Sequence, residues 1–227
     1  MSKDLKTNAE WSQARANVYG LLAEVFRSEP SSFFLTQLKD PGAVATLESL
    51  GCSPWDDPHP SSHEQLGEDL ALEYTRLFIG PGPRISPHES MNVDSRFGEE
   101  NELWSEETVK VKKFMEAAGV AVNDDFAGMP DHISAEFEFM QRLLDAEVQA
   151  WVDDDTELAF NILRIELRFY TEHLSRWISV FCDKVIEATE QTFYKQFCEV
   201  TKGFVAFEGE TLNELLDCGG CSEKLSA

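Results

Sequence analysis

Two stretches of this chain set carboxylates and a histidine beside prolines and aromatic rings. The first is Glu73-Tyr74-Thr75-Arg76-Leu77-Phe78-Ile79-Gly80-Pro81-Gly82, leading to Pro87-His88-Glu89-Ser90. An apolar helix end runs there into a proline-locked turn, which fixes carbonyls and aromatic side chains at little entropic cost. The second is Met129-Pro130-Asp131-His132-Ile133-Ser134-Ala135-Glu136-Phe137-Glu138-Phe139-Met140. Asp131 reads as a helix N-cap, and His132 and Glu136 lie one turn apart on one face. Asp131, Glu136 and Glu138 could receive a cationic group, with His132 as a switchable donor. The same spacing also fits a plain cap with a surface His–Glu pair, and Leu77 and Phe78 also fit a core. A third candidate, Cys218-Gly219-Gly220-Cys221, has the spacing of a zinc half-site or a redox dithiol, but the chain has no second Cys-x-x-Cys.

Other chemistries lack their residues. There is no Gly-Lys dipeptide for a phosphate cradle, and Gly80-x-Gly82 lacks the third glycine of a dinucleotide fingerprint. His63-Glu64-Gln65-Leu66-Gly67 fails as a zinc-protease motif, and no histidine has Glu three residues before it, as a di-iron bundle needs. No cofactor or metal is expected from these patterns.

The elements that must position the candidates read as helices almost throughout. Trp11, Ala14, Val18, Leu21, Leu22, Val25 and Phe26 recur at steps of three and four, the stripe of an amphipathic helix. Pro30 stops it, and Ser31 or Ser32 caps a short helix that ends at Pro41-Gly42. Another short helix runs to Leu50-Gly51. Three prolines between Ser53 and Pro60 mark a loop, after which Ser61 or Ser62 caps a helix through Leu66, Leu70, Tyr74, Leu77 and Phe78. Periodicity vanishes from Gly80 to Gly98, and irregular stretches of that length usually carry function. Ser105 restarts a helix that Gly119 ends. A stripe of Ile133, Phe137, Met140, Leu144 and Val148 precedes an acidic linker at Trp151–Asp155. A long helical region follows with a bend near His173, then a helix through Phe207, and the chain closes on the Cys-x-x-Cys and a polar run. The expectation is an all-α fold of about 9–11 helices.

With 19 Lys+Arg against 42 Asp+Glu in 227 residues, the formal charge is −23. That excludes a duplex nucleic-acid binder and an anionic-membrane binder, and it suits a basic partner. No apolar run is long enough to span a bilayer, the first residues lack a secretory h-region, and five cysteines do not make a disulfide scaffold. These features predict a cytoplasmic chain with reduced thiols.

The Tyr-x-Arg-Leu-Phe-x-Gly-Pro-Gly stretch, its Pro-His-Glu-Ser continuation and the Pro-Asp-His-x-x-x-Glu-x-x-Phe-Met segment, in this order and at this spacing, resemble the TorD/DmsD/NarJ family of molybdoenzyme maturation chaperones. Arg168-Phe169-Tyr170, His173-Leu174-x-x-Trp177-Ile178 and Phe193-Tyr194 extend the likeness, which covers roughly Ala9 to Leu216. The resemblance implies a helical N-terminal lobe (1–124), a smaller C-terminal lobe (125–217) joined at the Pro-Asp-His hinge, and a polar tail (218–227). It implies that the chain binds a client's twin-arginine signal peptide, holds the apo molybdenum-cofactor oxidoreductase until the cofactor is inserted, prevents premature export, and has no enzymatic activity. Matched residue by residue, it assigns peptide binding to Leu77, Phe78, Gly80, Pro81, Pro87, Glu89, Ser90, Pro130, Asp131 and His132; Glu136 joins them from the reading of its spacing. The family often carries Glu-Pro ahead of Asp-His, where this chain has Gly128-Met129-Pro130, with Asp125 the nearest upstream carboxylate. Two guanidiniums beside an apolar helix-former call for acidic groups near an apolar groove, and Glu73, Glu89, Asp131, Glu136 and Glu138 would supply them. Two other classes stay open: an adaptor built on the Cys-x-x-Cys, and an acid–base enzyme at Asp131/His132. The linker at Asp153–Thr156 would also permit a homodimer by helix exchange.

Overall fold

A computed structural model describes residues 3–55, 63–82, 84–93, 106–119 and 128–223, with side chains placed from Leu5 to Leu216 within those ranges and, in the fourth helix, from Gln65. Among the described residues there are helices and no strands. The α-helices are α1 (Lys3–Arg27), α2 (Ser32–Leu38), α3 (Pro41–Ser49), α4 (His63–Tyr74), α5 (Glu106–Ala117), α6 (Ile133–Val152), α7 (Thr156–Phe169), α8 (Ser175–Ala188) and α9 (Thr192–Glu223). A π-turn at Thr75–Ile79 ends α4, and another at Tyr170–Leu174 joins α7 to α8 as one bent rod. The bend expected near His173 is therefore a π-bulge, a distortion frequent at functional sites.

Helix α6 is the spine. From Ile133 to Met140 every side chain is buried, because α1 lies along it and α7 packs beside it. Helix α9 closes the bundle against α8, α7 and α1. One apolar cluster includes residues from α1, α2, α4, α6, α7, α8 and α9, so residues on both sides of position 125 share a core.

The caps follow the sequence. Ser31 accepts from the Phe34 amide at 3.1 Å, Asp40 from Gly42 at 3.0 Å, and Asp155 from Leu158 at 3.0 Å. Gly51 and Gly119 stand at positive φ past the ends of α3 and α5, where a Cβ would be strained. The expected caps at Ser61/Ser62 and Ser105 lie outside the described residues.

Two expectations are corrected. The cap of α6 is His132, whose Nδ1 accepts from the Ser134 amide at 3.2 Å, so Asp131 is released for longer-range bonds. The face of α1 that enters the core is Ser12, Arg15, Ala16, Tyr19, Leu22, Ala23 and Phe26. The N-terminal part of the expected stripe is turned outward: Trp11 is 44% exposed, Ala14 is exposed and Val18 is half-buried. The reason is Arg15, which is drawn inward to three glutamates and rotates the helix about its axis. The backbone of α9 stays helical through Cys218 and Cys221, beyond the last apolar stripe; their side chains lie outside the described residues.

Candidate functional site: a junction of two loop segments

The two candidate segments meet. The Glu89 amide donates to the Asp131 carbonyl at 2.8 Å, and the Ile133 amide donates to the Pro87 carbonyl at 2.9 Å. This pair of bonds makes an antiparallel bridge centred on His88 and His132. The Asp131 carboxylate fastens the junction, accepting from the Ser90 amide at 3.2 Å and the Thr108 hydroxyl at 3.1 Å through one oxygen. It thereby ties the loop, α5 and the start of α6 together, from a fully buried position.

A second layer lies beneath. Glu89 is fully buried and accepts from His173 Nδ1 at 2.8 Å and from Arg176 at 3.1 Å. Arg176 also pairs with Glu107 at 3.0 Å, which clasps α5 to α8. Glu136, fully buried, accepts from the Trp177 indole at 3.1 Å. Burial, and then the charge of Glu89, push the Glu136 carboxyl well above the usual carboxylate range. The π-bulge brings His173, Arg176 and Trp177 onto one face toward these acids.

The two histidines stack edge to face, 5.0 Å between ring centroids. Burial lowers both; His132 falls to about 3, helped by the nearby His88 and Arg27 charges. His132 is thus a neutral cap acceptor at pH 7 and not the switchable donor that its spacing implied. Ser86 bonds His88 Nδ1 at 3.1 Å, and Asn92 donates to the carbonyls of Ser86 and His88, which rounds off the loop.

The π-turn sits on the other side. Leu77 is buried, and Phe78 packs against Tyr74, Phe181 and Tyr194. Leu77 returns to the loop through its carbonyl, which accepts from Ile85 at 2.8 Å. Gly80 closes the turn by donating to Thr75 at 2.7 Å, and a Cβ there would stand 3.1 Å from that carbonyl. Pro81 and Ile79 are exposed.

The structure therefore gathers Pro87, Glu89, Ser90, Pro130, Asp131, His132 and Glu136 into one junction, with Leu77 and Phe78 as core beside it and Gly80 and Pro81 at the surface. The five acids expected around an open groove are internally engaged. Glu73 pairs with Arg76 at 2.7 Å and accepts from Thr189 and Glu190, and Glu138 pairs with Arg27 and Arg142. Asp125 and Pro83 lie outside the described residues. Sequence reasoning passed over Thr108 and Arg176 and left His88 and Trp177 outside the site. Arg176 was legible as a cation three residues from the bend at His173; Thr108 gave no signal.

A second buried ionic group joins α1 to α6, α7 and α9. Arg15 meets Glu208 twice at 2.8 Å, Glu166 at 2.7 Å and Glu147 at 3.6 Å. Burial raises the carboxyls of Glu147 and Glu166 above the usual carboxylate range, against the opposing pull of the Arg15 charge.

No cluster of three metal-ligating side chains exists among the described residues. Cys52, Cys182 and Cys198 are buried free thiols, and burial pushes Cys52 up to about 11. No described helix is long and apolar enough to cross a membrane.

The family model described as nitrate reductase delta subunit matches residues 42–183, which include both loop segments and the π-bulge. The chaperone protein TorD of Shewanella loihica is 25% identical over 211 residues, covering 88% of this chain and 93% of that protein. TorD of Photobacterium profundum is 23% identical over 216 residues, covering 87% and 97%. A solved redox enzyme maturation protein from Archaeoglobus fulgidus aligns with a TM-score of 0.46 at 21% identity, over 85% of this chain and 92% of that one. The chain belongs to the nitrate reductase delta subunit family, the TorD/NarJ group of molybdoenzyme maturation chaperones.

Proposed function

We propose that this chaperone acts in the cytoplasm on the apo form of one molybdenum-cofactor oxidoreductase, recognises that client's twin-arginine signal peptide, and holds it from export until the cofactor is inserted. The observation that supports the reading is the bridge between Pro87–Ser90 and Asp131–Ile133. It joins the two segments that the family resemblance assigns to peptide recognition, although they are far apart in sequence. A reading as an acid–base enzyme is not favoured by the same geometry, since Asp131 is fully buried and His132 is neutral and committed to capping α6.

In this arrangement the buried acids position the loop and do not themselves meet the peptide. Glu89 and Asp131 fix the junction backbone at half-buried His88 and Pro130, while Ile79 and Pro81 of the neighbouring turn are exposed. The attraction for two guanidiniums is then a property of the −23 surface, screened over about 8 Å at physiological ionic strength. Affinity purification from the native cytoplasm tests the function: a molybdenum enzyme with its signal peptide intact is the expected co-purifying protein. Recovery of clients without such a signal would overturn it.

A further inference from the structure

The outward turn of α1 leaves a groove that the junction does not use. It runs between α1 and α9, is closed on one side by Leu50–Gly51, and has a volume of about 490 Å³. Trp11, Leu50 and Phe207 stand around it with 43–44% of their surface exposed, and Trp11 and Phe207 meet edge to face at 5.9 Å. Its floor is kept open by small residues, Ala14 on α1 and Gly203 on α9. Nothing lies within 4 Å of where a Cβ on Gly203 would be. A glycine inside a helix costs about 1 kcal/mol relative to alanine, and here it secures no close approach and no positive φ. What it does is leave room.

The charges around the groove say what fits. The cation in its lining is Arg15, whose charge is taken up by Glu147, Glu166 and Glu208. Glu199 lies in the lining and is exposed. Glu210 and Glu214, three and seven residues past Phe207, continue the same face of α9 and are also exposed. The groove is thus apolar along its middle and acidic at its ends. From Glu199 to Phe207 it is about 12 Å long, two turns of helix.

We infer that this groove seats a short amphipathic helix of the client, its apolar face on Trp11, Gly203 and Phe207 and its basic residues toward Glu199 or Glu210–Glu214. An apolar helix in a groove is read by side chains at i, i+3 or i+4, and i+7, which two turns supply. The inference rests on the signal-peptide reading and deepens it: the loop junction would hold one part of that peptide, and this groove the helix-forming stretch.

The test is a calorimetric titration of the full chain with a synthetic peptide carrying two adjacent arginines followed by a Leu/Ala-rich helical stretch. Gly203→Leu puts a side chain into the groove, its Cβ meeting nothing within 4 Å; Trp11→Ala lowers one wall; Phe33→Ala removes an exposed apolar side chain on α2, outside the groove's lining. The expected result is at least tenfold weaker binding by Gly203→Leu and several-fold weaker by Trp11→Ala, with Phe33→Ala like wild type and all three equally helical. Wild-type affinity in Gly203→Leu and Trp11→Ala would overturn the groove while leaving the signal-peptide reading intact. Absence of binding by the wild-type chain would overturn both. Sedimentation of the same proteins covers the remaining occupant: a wild-type dimer that Gly203→Leu dissociates and peptide does not displace would make a second copy the occupant, and the inference wrong.

Discussion

The Glu89 amide donates to the carbonyl of Asp131, and the next amide, that of Ser90, donates to the Asp131 side chain. One residue therefore holds a loop by both its main chain and its carboxylate. Because Thr108 shares the same carboxylate oxygen, the loop, α5 and α6 are set relative to one another by a single buried group.

Replacing Asp131 by Ala should accordingly cost about 2–3 kcal/mol, since it leaves the Ser90 amide and the Thr108 hydroxyl buried without an acceptor. Asp131→Asn keeps one acceptor oxygen and should cost less. Urea unfolding at neutral pH measures both. Peptide affinity should fall in the same order, with no change in its salt dependence, because the group is interior. A loss of salt dependence in Asp131→Asn would mean that the carboxylate meets the peptide directly.

Stability should depend on pH through two buried groups of opposite sign. Glu136 has a folded-state pKa above its unfolded value of 4.5. It contributes stability that is fully present below pH 4.5 and is lost as pH rises toward its folded value. His132 is depressed from 6.5 to about 3, so its contribution is present above pH 6.5 and lost as pH falls toward 3. Melting curves should show Glu136→Gln flattening the profile above pH 5, and His132→Asn, which retains a capping side chain, flattening it below pH 6.5. Parallel profiles for wild type and both variants would rule out this assignment.

The bend near His173, the helix count, the cap at Ser31 and the stop at Gly119 were legible in the sequence, because they depend on local spacing and on single residues; that the bend is a π-bulge and that His132 caps α6 in place of Asp131 were not. The two loop segments were legible too, through their motif. Their chemistry was misjudged: Asp131, Glu136 and Glu89 look like surface acids on a strongly acidic chain, and only the fold reveals that His173, Arg176, Trp177 and Thr108 are waiting for them. Arg15 shows the same limit. Its position among Ser12, Ala16 and Tyr19 was readable, but its partners lie on three distant helices, and so the rotation of α1 that exposes Trp11 was not.

Removing Arg15 should be among the most damaging single changes. Arg15→Ala leaves Glu208, Glu166 and Glu147 buried without their cation, a loss of about 3–5 kcal/mol at neutral pH. The defect should shrink at pH 5, where Glu147 and Glu166 take up protons more readily. Chemical denaturation of the variant at the two pH values checks this; an equal defect at both would mean that the guanidinium acts by packing alone.

Two glycines of α9 should answer oppositely to alanine. Gly203→Ala meets open space and should stabilise by about 0.5–1 kcal/mol through helix propensity. At Gly209 a Cβ would run into the Tyr170 hydroxyl at the π-bulge, so Gly209→Ala should destabilise. Paired thermal melts decide; stabilisation by both would show that the α9 contact at Tyr170 yields freely.

The central claim is that this chaperone recognises paired arginines beside an apolar helix. Its most direct test is calorimetric titration with the client's signal peptide and with the same peptide carrying Gln-Gln in place of Arg-Arg. The account predicts saturable binding of one peptide per chain, weakened by added salt, and at least tenfold weaker binding of the Gln-Gln peptide. Equal affinity for the two peptides, at low and high salt alike, would contradict it.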